Sequence, residues 1–184
     1  MYHFESPIID RKIRFALIGC GRIAQSHFTA LKQHDDRAEL VSVCDIDANA
    51  LDAATKLTGA KPFSSLSSML ADTTADIVIL TTPSGLHPEQ TIEIAASGRH
   101  VMTEKPMATR WQDGLRMVKA CDDANVRLFV VKQNRRNATL QLLKNAVKQG
   151  RFGRIYMVNL NVFWTRPQEY YDSAAWRGTW EFDG

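Results

Sequence analysis

Ile13-Arg14-Phe15-Ala16-Leu17-Ile18-Gly19-Cys20-Gly21-Arg22-Ile23-Ala24 runs from an unbroken, mostly apolar hexapeptide straight into a pair of glycines. The hexapeptide reads as a buried strand. Residues 19–24 then fit G-x-G-x-x-A, a spacing with a steric meaning. Gly19 makes the tight turn, Gly21 lets backbone approach a pyrophosphate with no side chain in the way, and Ala24 keeps the next helix close to the strand. Phosphates would rest on amides at the helix N-terminus, where the dipole favours negative charge. Leu40-Val41-Ser42-Val43-Cys44 reads as the next buried strand, and Asp45 closes it about twenty residues after the glycines, as a ligand for the adenosine ribose should. A lone glycine pattern is weak. Set between a strand and a helix, a strand and an acid, it points to a dinucleotide site.

Working outward, the spacing predicts a helix from about Arg22 to Gln33, with Ile23, His27, Ala30 and Leu31 on one face. Asp47 is placed to cap a second helix that Gly59 closes. Lys61-Pro62-Phe63 has room only for an edge strand, and Ser67 to Ala71 for a helical turn or two. Ile77-Val78-Ile79-Leu80 is a buried strand ending in the turn-rich Thr81-Thr82-Pro83-Ser84-Gly85. A helix from His87 to Ser97 stops at Gly98. The strand His100 to Thr103 leads into Glu104-Lys105-Pro106, a helix from Thr109 to Ala124 and a strand from Arg127 to Val131. Parallel neighbours need crossover helices, so the alternation predicts an α/β fold with a doubly wound parallel Rossmann sheet. Residues 1–135 would form this NAD-binding domain, behind a mobile lead-in over residues 1–11. Gln133 to Asn137 breaks the pattern, and a helix follows from Ala138 to Lys148. Ile155 to Trp164 alternates as a two-sided strand, which we expect to open a second, α+β domain over 136–184. That strand has no visible partner, and the chain reads as the front half of a longer protein.

The composition is that of a globular protein, 45% hydrophobic over 184 residues. No run of about 18 apolar residues or basic-then-apolar leader is present, so a cytoplasmic protein without a membrane partner is expected. Cys20, Cys44 and Cys121 are widely spaced and lack metal-ligand partners, which predicts buried free thiols and no metal site. A net charge of +3, spread along the chain, argues against a nucleic-acid surface.

The chain resembles the glucose-fructose oxidoreductase/inositol dehydrogenase (Gfo/Idh/MocA) family from Ile13 to Gly184. The resemblance rests on Gly19-Cys20-Gly21-Arg22-Ile23-Ala24, Thr82-Pro83, Glu104-Lys105-Pro106 and Trp176-Arg177, in family order and spacing. Within the family it is similar to the bacterial UDP-N-acetyl-2-amino-2-deoxy-D-glucuronate 3-dehydrogenases of surface-polysaccharide synthesis. Residues 15–24, Thr82-Pro83-Ser84-Gly85-Leu86-His87, Val130 to Arg135 and Trp176-Arg177-Gly178-Thr179-Trp180 carry that closer likeness. The resemblance implies NAD on the first domain, a UDP-sugar uronate as substrate, hydride transfer from C3 of the sugar ring, and a homo-oligomer in the full-length form. It also implies a second catalytic motif with an acid/base histidine beyond the stretch at hand. No histidine follows His100, so the chain by itself is expected to be inactive or nearly so.

Each candidate residue has a plainer reading beside it. Asp45 binds ribose or only caps the next helix, a task for which Asp47 is better placed. With Ile46 as neighbour it favours NAD over NADP. Lys105 would ordinarily be a surface lysine. The resemblance makes it catalytic, an ammonium that hydrogen-bonds the substrate hydroxyl, stabilises the alkoxide and shares in proton transfer if burial lowers its pKa. Glu104 is a helix-edge acid or, in the family, a neighbour of the nicotinamide ribose. Thr82, Pro83 and His87 are loop packing and helix start, or cofactor contacts. Trp176 and Arg177 are a surface pair, or reach back to the cofactor as the family implies. Arg22, Ile23 and Gln133 complete the cofactor set. Arg135, Asn137 and Thr179 are candidates for the substrate's carboxylate and diphosphate, since an arginine fork suits both groups. Trp164, Tyr170, Tyr171 and Trp180 stack on uracil, or belong to a core or subunit interface. Two alternatives stay open: a non-catalytic NAD-binding or assembly module, and a family dehydrogenase for another sugar or cyclitol.

Overall fold

The structure is a computed structural model that describes residues 8–184. The chain divides into two compact units. One comprises the chain through Val131 together with Gly178–Gly184, and the other is Lys132–Arg177.

The first unit alternates strand and helix: β1 (Ile13–Ile18), α1 (Ala24–Gln33), β2 (Ala38–Cys44), α2 (Ala48–Thr58), β3 (Lys61–Phe63), α3 (Leu66–Asp72), β4 (Ile77–Leu80), α4 (His87–Ala96), β5 (His100–Thr103), α5 (Trp111–Asp123) and β6 (Leu128–Val130). The strands form one parallel six-stranded sheet in the order β3-β2-β1-β4-β5-β6. This is the doubly wound Rossmann sheet expected from the alternation.

Side chains alternate across a strand, so a strand covered on both faces needs apolar residues at every position. Phe15 and Leu17 of β1, with Ile77 and Ile79 of β4, pack on one face with Ala24 and Phe28 of α1 and Ala54 of α2. Ala16, Ile18, Val78 and Leu80 point to the other face, against Leu66, Met69, Ile94, Ala95 and Cys121. The chain order reverses between β1 and β4, and at such a switch point the carboxyl ends of neighbouring strands open a crevice.

Local signals set the element ends. Asp47 caps α2 by accepting the Asn49 amide at 2.8 Å, and Gly59 ends the helix at φ +71°. Ser65 caps α3. Of the lead-in expected over residues 1–11, residues 1–7 lie outside the described residues. Arg11 is tied down, its guanidinium forked onto both oxygens of Asp76 at 2.7 and 2.8 Å. That hydrogen bond, which outweighs the effect of burial, holds the Asp76 carboxyl below its ordinary pKa.

The second unit holds a short 3-10 turn, Gln133–Arg136, then α6 (Ala138–Lys148) and α7 (Gln168–Asp172). Ile155 to Trp164 is not a strand, contrary to the alternating pattern. A strand exists through its ladder, and no partner strand lies beside this stretch among the described residues. Its side chains stay open to solvent, Met157 at 84% and Phe163 at 97%.

Candidate functional site: a dinucleotide crevice beside Lys105

At the switch point Gly19 turns the chain at φ +93°, and a Cβ there would lie 2.8 Å from the backbone of Thr81 and Thr82. Glycine is thus required twice, by conformation and by the close approach of the chain after β4. Thr81 secures that approach, its hydroxyl donating to the carbonyls of Ile18 at 2.9 Å and Gly19 at 2.6 Å. Gly21 differs, because a Cβ there meets nothing within 4 Å. The space above it is open, as a pyrophosphate would require. Arg22 and Ile23 beside it are exposed. Helix α1 starts there with no side-chain cap and no acid in its first turn, which leaves its positive end free for an anion.

Asp45 stands at the end of β2. Its Oδ2 accepts the Cys20 amide at 2.6 Å and its Oδ1 the Asp47 amide at 2.9 Å. The carboxylate is therefore fixed to the glycine turn, with lone pairs left over for hydroxyl donors. Ile46 is 94% exposed and brings no positive charge. Cys20, the variable residue between the glycines, is buried. Desolvation, then the Asp45 charge, push its thiol up to about 12, so it is not a nucleophile.

Across the crevice Thr82 donates from its hydroxyl to Gln90 at 2.6 Å, and Pro83 leads into a short 3-10 turn, Ser84–Leu86. Both ring nitrogens of His87 face protein carbonyls, Nδ1 that of Pro106 and Nε2 that of Thr82, each at 3.0 Å. Burial pushes this histidine below its ordinary pKa, while the two carbonyls and Glu104 oppose the shift. The buried ring lies between the two loops and, when neutral, donates to one of the two carbonyls.

Glu104 is 8% exposed. Its Oε1 lies 2.9 Å from His27 Nε2, and its Oε2 accepts the Lys105 amide at 3.2 Å. Burial alone would raise its pKa. The hydrogen bonds from His27 and the Lys105 amide outweigh that and hold the carboxyl below its usual value. Lys105 itself is exposed.

His27, Thr81 and Gln90 were not singled out from the sequence as site residues. A histidine within the apolar face of the first helix is the one signal that could have drawn attention, since a part-buried imidazole needs a partner.

Gln133, Arg135, Asn137, Trp176 and Arg177 belong to the second unit. Gln133 and Arg135 are exposed, and Asn137 is engaged as the cap of α6, accepting the Thr139 amide at 3.0 Å. The Arg177 guanidinium stacks 4.2 Å from the Tyr170 ring and 5.2 Å from Trp176. Tyr170 and Tyr171 meet edge to face at 5.3 Å, Arg166 covers Trp164 at 4.2 Å, and Trp180 is 88% exposed. Thr179 returns to the first unit, its hydroxyl accepting the Phe182 amide at 3.3 Å. Among the described residues no cluster of three or more His, Cys, Asp or Glu could hold a metal ion. No described helix is long and apolar enough to cross a membrane.

Comparison with known proteins agrees with this geometry. A crystal structure of the WlbA dehydrogenase from Chromobacterium violaceum, in complex with NADH and UDP-GlcNAcA, superposes with a TM-score of 0.94 at 74% identity, over 97% of this chain and 52% of that one. The Bordetella pertussis WlbA dehydrogenase, also with NADH and UDP-GlcNAcA, gives 0.94 at 71% identity, over 97% and 51%. Inositol 2-dehydrogenase 3 of Saccharopolyspora erythraea is 32% identical over 171 residues, 91% of this chain and 50% of the relative. The chain spans about half the length of these proteins. Residues 13–132 match the sequence profile of an oxidoreductase family with an NAD-binding Rossmann fold, and the chain belongs to that family, Gfo/Idh/MocA.

Proposed function

We propose that this chain is the cofactor-binding part, with the opening of a substrate domain from about residue 136, of an NAD-dependent dehydrogenase. The protein would oxidise the C3 hydroxyl of a UDP-N-acetylglucosaminuronate-type sugar nucleotide for surface-polysaccharide synthesis. We place it in the cytoplasm, as a homo-oligomer when full length. The carrying observation is the carboxyl edge of the sheet. An uncapped α1 starts behind the open Gly21, Asp45 is fixed at the end of β2, and Lys105 is exposed on a tethered backbone. The 74% identity to a protein solved with NADH and UDP-GlcNAcA supports the same pair of ligands.

Bound NAD would supply the hydride acceptor for the substrate carbon. The other steps belong to residues of this chain. The α1 amides beside Gly21 bind pyrophosphate. Asp45 accepts hydrogen bonds from the ribose hydroxyls and repels a 2′-phosphate. Thr82 and Pro83 form the facing wall, with His87 behind them. The Lys105 ammonium donates to the C3 hydroxyl oxygen and stabilises the alkoxide as its proton passes to the acid/base histidine that the family resemblance implies. Gln133, Trp176 and Arg177 add cofactor contacts in our reading, and Arg135, Asn137 and Thr179 meet the sugar carboxylate and diphosphate.

Titrating the chain with NADH and NADPH tests the first half of this reading. Two like charges about 4 Å apart repel by about 4 kcal/mol near a protein surface, so NADH is expected to bind at least about tenfold more tightly than NADPH. Equal affinities, or no binding, would overturn it.

A further inference from the structure

Glu104, Lys105 and Pro106 leave the end of β5, and the two outer residues each face a histidine from a different helix. Glu104 meets His27 of α1 at 2.9 Å through one oxygen and the Lys105 amide at 3.2 Å through the other. An ionised carboxylate only accepts, so Nε2 of His27 carries the proton. On the far side the Pro106 carbonyl lies 3.0 Å from His87 Nδ1, at the start of α4. The His27 and Glu104 side chains are only 12% and 10% exposed, and His87 is 1% exposed, whereas Lys105 is exposed. The middle residue thus has its backbone held by Glu104 and flanked at Pro106 by the His87 ring, while its side chain is exposed.

We propose that His27 is a positioning residue. Through Glu104 it fixes the Lys105 backbone to α1, the helix that rises from the glycine turn, so that the lysine and the phosphate cradle keep one spacing. The inference rests on the reading of Lys105 as the group that meets the substrate hydroxyl. His87 lies on the other side of the tripeptide, its ring between the carbonyls of Pro106 and Thr82 and donating, when neutral, to one of them. The charged groups around Glu104 are His27 and Lys105, with His87 behind the loop. None of them competes for the Oε1 position that His27 occupies.

Amide hydrogen exchange on the 184-residue chain without cofactor reads the clamp directly. Loss of one charge-assisted hydrogen bond predicts that His27→Ala speeds exchange of the Lys105 amide about tenfold or more, while Ile79 and Val101 in the sheet stay within about threefold. His27→Gln keeps a donor toward Glu104 and is expected to restore most of the protection. His27→Leu fills the space without a donor, so a cavity effect alone would restore protection there too, whereas the clamp predicts that His27→Leu behaves as His27→Ala. In NADH titrations His27→Ala should weaken binding about tenfold and His27→Gln about threefold or less. Unchanged Lys105 exchange in His27→Ala, or His27→Gln behaving as His27→Ala, overturns the proposal. Should His27→Ala fail to fold, nitrogen NMR of the unaltered chain decides. The neutral His27 ring must be protonated on Nε2, and an Nδ1-protonated ring removes the donor and sinks the idea. A chain that binds no NADH would overturn the functional reading while the exchange result still stood or fell by itself.

Discussion

Gly19 and Gly21 stand two residues apart in one motif and are glycine for different reasons. At Gly19 the molecule itself demands it, through φ +93° and a virtual Cβ 2.8 Å from backbone atoms that cannot move aside. At Gly21 nothing in the chain does, since a Cβ would enter open space. The two substitutions should therefore separate folding from binding. Gly19→Ala combines left-handed strain with overpacking and is expected to cost about 3 kcal/mol, read from the urea unfolding midpoint. Gly21→Ala is expected to change stability by less than about 0.5 kcal/mol. It should nevertheless weaken NADH binding about tenfold, because the methyl group takes up room a pyrophosphate needs. If Gly21→Ala bound NADH as well as the unaltered chain, the phosphates would not lie against that residue.

Among the elements, α2 and α3 begin with side-chain caps, Asp47 and Ser65, while α1 begins with none. Helices α4 and α5 also start without a side-chain cap, so α1 is set apart by the missing cap together with the open glycine turn in front of it. A second contact at the carboxyl edge comes from far along the chain. Gly178–Gly184 returns to the first unit, and the Gly85 amide donates to the Phe182 carbonyl at 2.9 Å. A Cβ on Gly85 would collide with the Glu181 carbonyl oxygen and come within 2.9 Å of Phe182 Cα. Gly85→Ala is thus expected to release residues 178–184 while the sheet stays intact. Limited proteolysis should show faster cleavage in that segment, with an unfolding midpoint lowered by about 1 kcal/mol or less. Unaltered cleavage would mean that the returning segment is held by other contacts. In the sequence Gly85 reads only as part of a turn, because its constraint comes from residues nearly a hundred positions later.

For the whole molecule, what could be read in advance depends on how local its cause is. Ile77 to Leu80 has no polar position, and that alone says both faces of its strand are covered, which the two clusters around β4 bear out. The cap at Asp47 and the stop at Gly59 are likewise set by neighbours a few residues away, whereas Asp45 is held both by the nearby Asp47 amide and by the Cys20 amide of the glycine turn. The His27–Glu104 pair joins residues 77 positions apart and exists only because the switch point brings α1 to the end of β5. Ile155 to Trp164 misled for the converse reason, since period-2 alternation describes a surface that could join a sheet and does not supply the neighbouring strand. Stability across the molecule should follow that division. Amides in β1 and β4, hydrogen-bonded within the parallel sheet and buried on both faces, exchange only on global or near-global opening. Those of residues 155–164 belong to no ladder and surround side chains such as Val158 at 80% and Leu160 at 83% exposure. They should exchange within about tenfold of an unstructured peptide. A row of open backbone groups carrying apolar side chains also invites pairing with another copy, so their protection should rise with protein concentration while that of β4 stays constant. Strong protection of residues 155–164 in dilute solution would mean that this stretch is laddered within the chain after all.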